Sequence, residues 1–134
     1  MGSRGAFRPE GGFNAPFEFE SIGTIHGVKI LRYKNGAYQK LPEYSNTSSA
    51  YVGIDKEGLV KSLRVFDNRR PSFDVDFGHS HHHGLKEGEY HVHDFIDVPG
   101  KVHRERQHVS RPITKEELAT WGAIINEILR RRNE

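Results

Sequence analysis

The chain has 134 residues, the size of a single domain. Its 20 Lys and Arg against 18 Asp and Glu leave a formal charge of +2, so net charge alone demands neither a nucleic acid nor a membrane as partner. The absence of cysteine excludes disulfides, zinc–thiolate sites, iron–sulfur clusters and a thiol nucleophile. No apolar run approaches the roughly 18–20 residues that span a bilayer, so no membrane partner is expected.

Residues 1–16 include Gly2, Gly5, Gly11, Gly12, Pro9 and Pro16 and read as a flexible N-terminal segment. The opening residues carry no apolar stretch of the kind a secretory signal needs, so any export would be directed from a larger protein. A single α+β domain is expected over 17–134. Phe17 and Phe19 alternate with acidic residues as a first strand. Thr24–Tyr33, rich in β-branched residues, reads as a second strand that ends at the hairpin signal Lys34-Asn35-Gly36, with Ala37–Leu41 as its partner. Tyr51–Ile54 and Leu59–Phe66 flank a second hairpin signal, Asp55-Lys56-Glu57-Gly58, and Asn68–Pro71 makes a further turn. Ser72–Gly78 and Glu89–Val98 follow as strands.

The period changes at the end of the chain. Thr114 and Glu117 fit a capping box, in which hydroxyl and carboxylate each satisfy a free amide of the first turn. Leu118, Trp121, Ile125 and Ile128 recur at helical spacing, joined by Ile124 and Leu129, and Arg130–Arg132 suit a helix C-terminus. The expectation is an antiparallel meander of about six or seven short strands packed against one C-terminal helix over 114–132.

Histidine is the unusual component: there are 9, and six lie between positions 79 and 93. Alternate side chains of a strand share a face. Pairing Ser72–Gly78 with Glu89–Val98 so that Phe77 faces Tyr90 and Val75 faces Val92 makes one apolar surface for the helix. On the reverse surface Asp76 then meets His91 and Asp74 meets His93. A tight turn at Glu87-Gly88 would give a different register, setting Leu85 against Tyr90.

This Asp/His face has two chemical readings and one bland one. A His-x-His pair in a strand directs two imidazoles to one side, as a divalent metal such as zinc or nickel requires. His79, His81, His83, His91 and His93 are the candidate ligands. Alternatively, His91 and His93 act as general acid and base on RNA with no metal, oriented by Asp74 and Asp76, because RNA supplies its own 2′-hydroxyl nucleophile. In the bland reading the histidines are incidental to an interaction domain and merely satisfy neighbouring carboxylates. Lys101–Arg111 holds a basic run in which Arg104, Arg106 and Arg111 are candidate phosphate contacts, or else is a solvated charged loop.

Tyr51–His79, with its Asp-x-Asp-Phe-x-His end, then Glu89–Phe95 with His-x-His-Asp, and Arg111–Glu117 together resemble compact His-rich domains at the C-termini of bacterial polymorphic toxins and phage-associated proteins. The likeness covers about half the chain and touches Asp74, Asp76, His79, His91, His93 and Asp94. It implies a toxin-type endoribonuclease domain with RNA as substrate, an immunity protein as partner and a cytoplasmic site of action. The alternative is a non-catalytic, His-rich metal-binding module of a phage or mobile-element protein. Metal nucleases of the ββα type and cupins fit less well, since a helix does not closely follow the His-bearing hairpin and the cupin glutamate is missing.

Overall fold

The computed structural model describes residues 19–34, 41–78 and 90–132. They form seven strands and one helix: β1 (Phe19–Ile25), β2 (Val28–Tyr33), β3 (Ala50–Ile54), β4 (Val60–Asp67), β5 (Arg70–Asp76), β6 (His91–Ile96), β7 (Glu105–Arg111) and α1 (Lys115–Arg132). The strands make one sheet in sequence order from β1 to β7. Among the described residues, no helix is long and apolar enough to cross a membrane. The expected N-terminal segment 1–16 lies outside the described residues.

The α+β class, the predominantly antiparallel sheet and the packed C-terminal helix are as expected, with three differences in detail. First, Thr24–Tyr33 is not one strand. His26 and Gly27 take φ values of 50° and 79° and form a two-residue turn that sets Ile25 opposite Val28. Positive φ at both central residues gives a hairpin the twist its strands require. Second, β2 and β3 pair in parallel, Ile30 opposite Val52, so the meander is interrupted once. Parallel neighbours need a crossover, and the connection from Lys34 to Ser49 provides it. The strand expected at Ala37–Leu41 falls largely outside the described residues; Leu41 itself is in no strand. Third, the basic run contains β7, an edge strand, where sequence offered only a charged segment.

The turns follow from short polar side chains. Asp55 Oδ1 accepts from the amides of Glu57 and Leu59 at 3.0 and 2.9 Å and closes the β3–β4 hairpin, with Gly58 at φ 86°. Asn68 and Arg69 adopt φ values of 51° and 71° in the two-residue β4–β5 turn.

Ala50, Val52, Ile54, Leu63, Val65, Phe73, Val75 and Val92 face α1 and meet Ile124, Ile125, Ile128 and Leu129 in the main core. Complete burial of a Val or Ile of this kind contributes about 1.5–3 kcal/mol. The helix begins with the expected reciprocal cap. The Glu117 amide donates to Thr114 Oγ1 at 3.1 Å, and the Thr114 amide donates to Glu117 Oε1 at 2.9 Å. Leu118, expected in the packed stripe, is exposed. The first turn is held instead by Arg111, which donates to both carboxylate oxygens of Glu117. At the other end Arg132 is buried rather than solvated, and its Nη1 donates to the Val60 carbonyl. Burial holds the Arg132 pKa below its ordinary value.

A smaller cluster of Phe19, Leu31, Leu41, Tyr51 and Phe66 lies on the far face of the sheet. The segment entering β3 crosses this face. It is pinned by the Ser45 amide donating to the Arg69 carbonyl at 2.9 Å and by the Ser45 hydroxyl 3.1 Å from the Tyr51 hydroxyl. The remainder of the far face, on β4 to β6, is polar apart from Phe95, which lies under Arg64.

Candidate metal centre

The β5–β6 register is the one the apolar pattern favoured: Asp74 pairs with His93, Val75 with Val92 and Asp76 with His91. Val75 and Val92 have no solvent exposure. Their burial under α1 turns Asp74, Asp76, His91 and His93 onto the far face, since a one-residue slip would expose the valines and bury the charges.

The two carboxylates have different partners. Asp74, 3% exposed, receives a bidentate contact from Arg64, with Nε to Oδ1 at 2.8 Å and Nη2 to Oδ2 at 3.0 Å. Arg64 also donates through Nη1 to the carbonyls of Leu41 and Pro42, each at 3.1 Å, and stacks over the Phe95 ring at 4.9 Å. Asp74 therefore anchors Arg64 and the covering segment. Its oxygens are engaged by Arg64 and Arg106, so its position opposite His93 in the ladder does not make it the orienting group for that imidazole.

Asp76 is the carboxylate the histidines share. Oδ1 accepts from the Gly78 amide at 2.8 Å. Oδ2 lies 3.6 Å from His91 Nε2 and 3.8 Å from His93 Nε2. All three potential ligand atoms lie within 4.8 Å of one another. Ligands at about 2.0–2.2 Å from a tetrahedral ion stand about 3.3–3.6 Å apart; the two Asp76 pairs are near that spacing, and the rest of the set must draw in by about 1 Å to close around an ion.

His93 is fixed by β7. Its Nδ1 lies 2.8 Å from the Gln107 carbonyl. A carbonyl only accepts, so Nδ1 carries the proton, and Nε2, on the side of Asp76, is the nitrogen left to ligate an ion. A hydrogen bond of this type, which fixes tautomer and ring orientation, commonly supports a metal-ligating histidine. His91 meets His93 edge to face, with ring centroids 5.1 Å apart. Its side chain is 43% exposed, which opens the triad to solvent on that side.

The three arginines expected at phosphate occupy separate places. Only Arg106 reaches the triad, with Nη2 3.3 Å from Asp76 Oδ2 and Nε 3.2 Å from Asp74 Oδ2. Arg104 donates to the Pro71 carbonyl at 3.1 Å. Pro71 is five residues from Asp76 along β5, about 16 Å away at the usual rise. Arg111 is on the helix side, over Phe73, where Asp94 and Glu117 take its Nε and Nη groups. This contact holds the Glu117 and Asp94 carboxyls below the usual carboxylate range, and Glu117 first, then Asp94, push the guanidinium above its own. Arg111 is thus a structural tie between β6, β7 and α1.

His79, His81 and His83, the remaining metal candidates, lie outside the described residues. Sequence marks Arg64 only as part of a basic group with Arg69 and Arg70, and foresees neither its pairing with Asp74 nor the Gln107 carbonyl. Arg64 does share an outward parity with Asp74 across the predicted turn, a signal that could have been used. Gln107 contributes a backbone atom, which no side-chain pattern reveals. No protein-family model, curated protein or solved structure matches the chain.

Proposed function

We propose that the protein binds a divalent transition metal of the zinc class through Asp76 Oδ2, His91 Nε2 and His93 Nε2. One observation carries this reading: three donor atoms of the right chemistry converge within 4.8 Å. The Gln107 contact to His93 Nδ1 supports it by committing the other ring nitrogen to the triad. Three protein ligands would leave a coordination position, and the exposure of His91 supports a site that solvent can reach.

Calorimetric titration of metal-stripped protein with Zn²⁺ tests the reading. The histidines at 79, 81, 82 and 83 are a second source of ligands, so a variant with all four replaced by Asn is the necessary comparison. Both proteins are expected to take up one tightly held ion, and His91→Ala/His93→Ala is expected to lose it. Loss of all tight uptake in the four-His variant would refute the assignment.

The metal-free endoribonuclease remains a second reading, favoured by the guanidinium of Arg106 beside a half-exposed His91. In it His91 and His93 exchange protons with RNA while Arg106 holds phosphate. It requires RNA cleavage by wild type in EDTA that His91→Ala abolishes. Cleavage absent in EDTA rules it out.

A further inference from the structure

We infer that the metal-loaded triad and Arg106 together hold a tetrahedral oxyanion of the phosphate class. The inference rests on the metal-binding reading and extends it to the ligand.

Without an ion, the two guanidinium groups of Arg64 and Arg106 formally balance the carboxylates of Asp74 and Asp76. Arg64 is the tightly integrated member, with a bidentate grip on Asp74 and two carbonyl contacts. Arg106 is held more loosely, at 3.2 and 3.3 Å, with a side chain 39% exposed on the edge strand. A divalent ion at the triad would leave the face with two uncompensated positive charges in a partly desolvated setting. An anion is the natural counterpart.

Geometry narrows the anion. The ion would coordinate Asp76 Oδ2, the oxygen that Arg106 Nη2 now approaches. The guanidinium would retain Asp74 through Nε, with Nη2 released beside the ion. An ion about 2 Å from Oδ2 stands within about 5 Å of Nη2. Two oxygens of one phosphate group can bridge that interval, one on the ion and one on the guanidinium. Planar, multiply donating guanidinium suits such an anion.

Cobalt(II) provides the probe, because its visible bands respond to a change in coordination. The full chain is loaded with one equivalent of Co²⁺ and titrated with inorganic phosphate, with acetate as comparison. Phosphate is expected to shift the bands saturably and acetate to do so far more weakly. Arg106→Ala should keep its Co²⁺ stoichiometry while phosphate affinity falls about tenfold, and Arg106→Lys should recover part of the loss. Unchanged stoichiometry shows that the variants retain the folded site. Bands indifferent to phosphate, equal affinity for acetate, or full phosphate affinity in Arg106→Ala would each overturn the inference while leaving the metal site standing. Equal phosphate binding by metal-free protein would overturn the joint site. Failure to bind Co²⁺ would overturn both readings.

Discussion

His93 is bound through Nδ1 to the main-chain carbonyl of Gln107 at 2.8 Å, so the orientation of a ring on β6 is set by the backbone of the neighbouring edge strand. His91 has no such backbone anchor among the described residues and is far more exposed. The two histidines should therefore separate when replaced individually. His93→Ala is expected to lower apo-protein stability by about 1 kcal/mol, the usual net value of a hydrogen bond, and to weaken zinc binding by at least about tenfold. His91→Ala should weaken zinc comparably with apo stability nearly unchanged. Urea denaturation of the apo forms and zinc titration of each check this; equal destabilisation by both would contradict it.

Asp74 should behave as a structural residue. Asp74→Ala leaves Arg64 buried beneath Leu41 and Pro42 without its anion, a change expected to cost about 3–5 kcal/mol. Replacing both partners, as Arg64→Met with Asp74→Leu, should recover much of the loss. Denaturation midpoints of the two variants provide the comparison. A mild effect of Asp74→Ala, under about 1 kcal/mol, would argue against a buried, tightly coupled pair.

The ties from Arg111 to Glu117 and Asp94 predict a pH dependence. Both carboxyls are lowered in the folded protein, chiefly by hydrogen bonds from Arg111. Groups depressed on folding contribute stability that is fully present above their unfolded pKa values, near pH 4. That contribution is lost as pH falls through the lower folded values. Wild type should lose thermal stability below about pH 4 more steeply than Arg111→Ala. The exposed Asp94 should contribute less than Glu117, because solvent screens it. Glu127 is lowered to about 2 by Arg130 and then Arg131, but both arginines are exposed on the helix surface, so the pair should add little. Parallel melting curves for the two proteins from pH 7 to pH 2.5 would contradict the assignment.

Arg69 occupies a left-handed conformation with φ 71° in a two-residue turn. Arg69→Gly should raise stability by about 0.5–1 kcal/mol, since relief of the side-chain penalty at positive φ exceeds the added freedom of the unfolded chain. The substitution forfeits a long side-chain contact, 3.5 Å to the Tyr44 hydroxyl. Denaturant unfolding measures the change, and a loss of stability would refute it.

The legible parts of this molecule were those with local, one-sided apolar signals. Val75 and Val92 fix a register because only one alignment buries both, and that alignment turns Asp76 and the two histidines onto the same face. The Thr114–Glu117 cap and the Asp55 turn were visible because each is complete within a few residues. The hairpin at His26-Gly27 is hidden in the sequence because the β-branched run continues through it. β7 was obscure because an edge strand with solvent on most sides needs no apolar alternation. The role of Asp74 depended on Arg64, a partner from another strand, and that of Arg111 on which side of the sheet a charged side chain leaves. A run of positive charge does not encode its direction.

The parallel seam between β2 and β3 divides the assembly order of the sheet. β3 with β4, and β4 with β5, can zip through short turns, whereas joining β2 to β3 first requires closing a sixteen-residue connection. The β1–β2 hairpin is therefore the unit expected to dock late and to detach first in partial opening. Amide exchange in β1 and β2 should report that detachment while β3 to β6 remain protected, so the N-terminal hairpin can loosen without dismantling the Asp76–His91–His93 cluster.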